Sequence, residues 1–171
     1  MNFLRNIFVR RLSARGLDAE SESLGHDMAD RVILHLGLQK AKNPVARLSK
    51  LEPKWRYIAP LFMYESEVAN GGHFQFFWNT DGSSNELVRS GLKYFQCDEF
   101  LEIYEEALEI YDSRPHLKSA KNSSGEEMRE AFAANSEEDP YDKQDMRYYD
   151  TVPGLDEVLS NTLRARLSDY R

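Results

Sequence analysis

Residues 67–82 read EVANGGHFQFFWNTDG, and the fold turns on how that stretch is read. The glycine pair Gly71-Gly72 interrupts a helical pattern, because glycine enters left-handed backbone without a Cβ penalty. Upstream, Tyr57, Leu61, Tyr64 and Val68 recur at the helical period, and Pro60 marks either a helix start or a kink. Downstream, Phe74, Phe76, Phe77 and Trp78 cannot all face one way, so the backbone there must be surrounded on several sides. A surrounded turn leaves amides and carbonyls in need of partners, and Glu67, Asn70, Gln75 and Asn79 can supply them. The expected feature is a Gly71-Gly72 turn that feeds an aromatic-rich core segment, with those polar side chains buried and bonded to backbone.

Working outward, the pattern stays helical. Leu24, Met28, Val32 and Leu36 fall near one face, and Asn43-Pro44 then punctuates the chain. Ser83-Ser84 with Glu86 reads as a helix start, followed by Leu87, Gly91, Leu92 and Phe95 on an inner face. The clearest amphipathic helix has Phe100, Leu101, Tyr104, Leu108 and Tyr111 in one stripe, with Glu102, Glu105, Glu106 and Glu109 facing away. Ser113 to Gly125 reads as a loop, and Met128 with Phe132 as a short amphipathic helix. Pro153-Gly154 opens a last helix that aligns Leu155, Val158, Leu159, Leu163, Leu167 and Tyr170. No segment alternates with β-branched enrichment. The expected fold is all-α, a compact single-domain helical array.

Bulk properties narrow the functions. The chain has 171 residues, 41% of them hydrophobic, and a net charge of -7. That balance disfavours nucleic acid as a direct ligand, which needs clustered Lys and Arg. With Cys97 as the one cysteine, neither an intramolecular disulfide nor a Cys-rich zinc site can form, and a reducing, cytoplasmic setting is expected. No apolar run reaches the ~20 residues of a membrane span, so no membrane partner is expected. Residues 1–16 hold four arginines and no acid, and read as a basic amphipathic helix docked on the acidic domain of residues 17–171. Residues 96–160 hold eighteen acids against six Lys and Arg. Such a stretch is either a solvated outer face or a surface aimed at a basic partner.

Glu65, Glu67 and His73 could also converge across the Gly71-Gly72 turn as a small-ligand, metal or acid–base site, which would make the protein a ligand binder or an enzyme. His26, His35 and His116 have no paired ligand spacing. No metal or cofactor is expected, and no residue is assigned a catalytic role.

The pattern E-x-x-N-G-G-x-x-Q-[FY]-F-x-N, from Glu67 to Asn79, resembles the signature of the C-terminal domain of the DNA-mimic protein family, long catalogued as a domain of unknown function. The helix FLEIYEEALEIY (100–111) and the stretch DKQDMRYYDTVPGLDEVLSN (142–161), with its pair Tyr148 and Tyr149, extend the resemblance over roughly residues 50–170. At the position of His73 that family more often has an aromatic residue. The resemblance implies an all-α domain, often a homodimer, without known enzymatic activity. It also implies carboxylates that imitate DNA phosphates and occupy a basic, DNA-binding protein. Here the candidates are Glu102, Glu105, Glu106 and Glu109, joined by Glu137, Glu138, Asp139, Asp142 and Asp145. Carboxylates one helical turn apart sit about 5–6 Å from each other, near the spacing of phosphates along a strand. The expected function is a non-enzymatic acidic protein-binding module. The same electrostatics would suit an immunity-type inhibitor of a nuclease toxin.

Overall fold

A computed structural model of the chain describes residues 12–114, 125–126, 129–130, 132–133 and 140–171. Among these residues the regular structure is entirely helical. The α-helices run α1 (Leu24–Leu36), α2 (Pro44–Leu48), α3 (Pro53–Arg56), α4 (Ile58–Thr80), α5 (Asn85–Tyr94), α6 (Asp98–Ser113), α7 (Asp142–Asp150) and α8 (Leu155–Ala165). The all-α reading of the sequence is therefore the observed fold.

The hub is α4. It is apolar on nearly every side, with Ile58, Leu61, Phe62, Tyr64, Val68, Phe76 and Phe77 all buried. A helix of that kind is stable only inside a core. Accordingly α1, α3, α5, α7 and α8 all pack on it, and α6 bridges α5 and α7. Pro60 lies in the first turn of α4, where its missing N–H removes no helical bond, so it marks a start and not a kink.

The glycine pair breaks α4 without ending it. Gly71 (φ -162°) and Gly72 (φ 71°) leave helical geometry, and a second helical run carries His73 to Thr80. This second run explains the crowded rings. Phe77 stacks on Tyr111 of α6 at 4.6 Å, while Phe74 and Trp78 face Phe132 at 5.1 and 5.2 Å. The acid-rich stretch before Pro153 forms a helix of its own, α7, which the sequence pattern left unassigned.

Residues 1–11, the bulk of the basic N-terminal segment, lie outside the described residues, as do Met128 and residues 115–124. Residues 12–16 are not helical, and they are fastened to the domain. The buried Ala14 donates its N–H to the Tyr170 carbonyl at 2.6 Å, and Arg31 Nη1 donates to the carbonyls of Ser13 and Arg15.

The α1–α4 contact depends on one missing side chain. A Cβ at Gly25 would lie 2.0 Å from Cζ of the buried Phe62 ring, which has no room to withdraw. Gly25→Ala should therefore lower stability by about 1–3 kcal/mol even though alanine favours helices. Urea denaturation checks this; a neutral or stabilising effect would show that the two helices can separate freely.

Candidate functional site

On a straight helix, Glu67 and Asn79 would be about 18 Å apart along the axis. The break at Gly71-Gly72 folds the second run of α4 back on the first and brings them together. Glu67 Oε2 accepts from Asn79 Nδ2 at 2.7 Å and from Gln75 Nε2 at 2.8 Å, and Gln75 Oε1 accepts from Asn70 Nδ2 at 3.2 Å. The polar residues of the motif thus bond one another across the break and do not serve the backbone. They also lie toward solvent: Asn70 and Asn79 are exposed, and Glu67 and Gln75 are half-buried. The expectation of buried side chains capping backbone groups fails, because another helix supplies those partners.

That helix is α7. Asp145 Oδ1 accepts from the backbone N–H of His73 at 2.9 Å and lies 2.5 Å from its Nδ1. On the other side of the ring, Tyr64 Oη lies 2.8 Å from His73 Nε2. An ionised carboxylate can only accept, so the hydrogen bond at Nδ1 is donated by the imidazole, while Nε2 and the Tyr64 hydroxyl share the second one. Tyr149 Oη donates to the Val68 carbonyl at 2.7 Å, which secures the last turn before the break. Gly72 is required twice: its φ is left-handed, and a Cβ there would meet Asp145 Oδ2 at 2.1 Å.

A hydroxyl, an imidazole and a carboxylate in line suggest a nucleophilic relay, but this one is sealed. Tyr64 and His73 are both 0% exposed. Burial, aided by Tyr148 and Tyr104, pushes the Tyr64 phenol well above its ordinary pKa, the wrong direction for a nucleophile or base. Phe76 and Tyr148 close the cage around Tyr64, and Tyr141 lies against His73. Burial likewise raises the Tyr141 and Tyr148 phenols. The arrangement therefore pins α7 to the break in α4.

The Glu65, Glu67 and His73 set does not converge. Glu65 lies 3.7 Å from His26 Nε2, Glu67 is held by the motif amides, and His73 is enclosed. Among the described residues, no group of three or more His, Cys, Asp or Glu is placed to hold a metal ion. Also among them, no helix is long and apolar enough to cross a membrane.

The acidic candidates separate into three groups. Glu137, Glu138 and Asp139 lie outside the described residues. Several others are already paired within the chain. Glu106 binds Arg147 at 2.5 Å and Gln144 at 3.0 Å, Glu105 binds Arg89 at 2.8 Å, and Asp145 is committed to His73. Glu109 and Asp142 are exposed, and Glu102 is exposed while 3.5 Å from Arg147. Sequence reasoning missed Tyr64, His73 and Tyr149 as the clamp. The visible signal was a histidine set among rings, but its partner lies 72 residues away.

An all-α acidic protein built on a broken, clamped central helix is the class that these features define. The family model described as DMP19-like protein matches residues 49–169, and the chain belongs to that family. No curated protein and no solved structure matches the chain. The family segment starts beyond α1 and α2, so both of those helices lie outside it.

Two outcomes follow for the clamp. Asp145→Ala strands buried His73 donors and should destabilise by about 2–4 kcal/mol, and adding His73→Phe should recover part of that loss. Denaturant titration of the two variants measures this, and independent, additive losses would sink the pairing. The second outcome concerns pH. Hydrogen bonds from Arg147, then Gln144, hold the Glu106 carboxyl below its ordinary pKa. A lowered folded-state value gives stability that is present above the ordinary carboxylate range and lost as pH falls through the folded value. Glu106→Gln should lower the melting temperature at neutral pH and converge with the unsubstituted protein in acid; a gap constant with pH would refute this.

Proposed function

We propose that the protein is a binding module of the DNA-mimic type, occupying a basic DNA-binding protein through the outward row of α6. One observation supports this most. Asp98, Glu102, Glu105, Glu109 and Asp112 follow one another at intervals of four and three residues, a row about 21 Å long on the helix. All but Glu105 are exposed, and α6 contains no Lys or Arg. The row runs along one side of the helix while Phe100, Ile103, Tyr104, Ala107, Leu108 and Tyr111 bury the other. A firmly packed helix holds its carboxylates in fixed register, which is what imitation of a phosphate strand requires. Membership of the DMP19-like family supports the same reading, as does the intramolecular neutralisation of Glu106, which narrows the usable face to the row itself.

The partner-facing set shifts accordingly from the full list of acids toward Glu102, Glu109 and Asp112, with the exposed Asp142 at the start of α7. Asp145 has a separate duty in the clamp. A homodimer would display two such rows, and the cytoplasm is where a DNA-binding target would be met.

The experiment is capture from native lysate on immobilised protein, followed by elution with short duplex DNA. Release by duplex of a basic DNA-binding protein, together with its loss on a Glu109→Lys, Asp112→Lys surface, is the expected result. Capture indifferent to duplex and to both reversals would overturn the reading. Binding should also weaken steeply with salt, as charge-driven association does.

A further inference from the structure

Away from the clamp and the acidic row, the fold holds a groove of about 630 Å³ between α1, α2 and the first turns of α4. Its volume is that of a small-molecule site. Ile33, Val45, Leu48, Ala59 and Pro60 make an apolar floor. On one side stands the turn between α4 and α5, with Asn79, Ser83 and Ser84. On the other stands Lys42.

Two of these groups are unspent. Ser84 occupies the N-cap position of α5, yet its hydroxyl makes no capping hydrogen bond. The residue is only 8% exposed, and among the described residues its side chain has no partner. The neighbouring hydroxyls are in use: Thr80 donates to the Phe76 carbonyl at 2.8 Å and Ser83 to the Thr80 carbonyl at 2.7 Å. The Ser84 hydroxyl is thus left free to bond solvent or a ligand in the groove. Lys42 is exposed and, among the described residues, has no acidic partner, in a chain of net charge -7. It is also the one charged side chain among the described residues that line the groove.

We propose that this groove is a binding site for a small amphipathic carboxylate, an aliphatic acid whose chain lies on the α1–α2–α4 floor. Its head group meets the Lys42 ammonium at the rim. The apolar floor excludes a highly charged ligand, and a single lysine suits one negative charge. One wall, residues 33–48, lies outside the segment matched by the family model, so the site is not a property of that segment alone. It is also independent of the acidic row on α6.

Titration of the full chain with decanoate, set against neutral decan-1-ol and followed by calorimetry and amide chemical shifts, tests the assignment. Decanoate should bind once per chain and shift the Val45, Ala59 and Ser84 amides. Val45→Trp, which fills the groove from a half-buried position, should abolish binding of both probes. Lys42→Glu should weaken decanoate roughly tenfold and leave decan-1-ol unchanged. No saturable decanoate binding would overturn the proposal. So would binding that Val45→Trp leaves intact, or decanoate binding indifferent to Lys42→Glu. A change in solution mass on Val45→Trp, without ligand binding, would assign the groove to a second copy of the chain instead.

Discussion

One oxygen atom, Oδ1 of Asp145, accepts from both the backbone and the ring of His73, and the broken central helix depends on it. A helix interrupted inside a core exposes N–H and C=O groups that water cannot reach, and each must be satisfied by something else. The left-handed φ of Gly72 opens the gap, the absence of a Cβ admits the carboxylate, and Tyr64 closes the far side of the imidazole. Once those atoms are in place, the second run of α4 is aimed so that Phe77 reaches Tyr111 and Glu67 reaches Asn79. The carboxylate is thus the one acceptor that ties both the N–H and the ring of His73 at the break to α7.

The division of labour among the acids follows from the same packing. α7 lies between the break and α6, so its inward acid serves the clamp while its Arg147 neutralises Glu106 and approaches Glu102. Lys93 and Arg89 do the same for Glu105 from α5. The acids are thus sorted by position: Glu105 and Glu106 are paired across helix seams, whereas Glu109 and Asp112 lie exposed on α6. Surface ion pairs are individually weak, so the seams contribute register more than stability.

Much of this was legible in the chain. Periodic apolar residues set α1, α5, α6 and α8, and Gly71-Gly72 announced an interruption near Val68, because both signals are local and depend on neighbours within a turn or two. What lay out of reach were long-range pairings. Glu67, Gln75 and Asn79 read as backbone satisfiers because their sequence neighbours are apolar; only the fold-back shows them meeting each other at the surface. Asp145 read as one more surface acid, since nothing within several residues of it reveals the His73 amide. Ser84 read as an ordinary helix cap, and that its hydroxyl instead lines a groove depends on helices far upstream. The α7 helix escaped notice because its buried residues, Gln144 and Tyr148, do not look like an apolar face.

The span of the clamp has a kinetic meaning as well. His73 and Asp145 are 72 residues apart, whereas α4, α5 and α6 meet their neighbours through short connections. Closing a loop of that length forfeits about 2 kcal/mol more chain entropy than closing one of eight residues. During folding, α4 to α6 can therefore assemble while the interruption in α4 still lacks its carboxylate, and the longer-range pairings of α7 with the break and of α8 with α1 follow. Until then, the His73 amide and the unpaired ring edges face water, so this is the interval in which the growing chain is most exposed to misassociation.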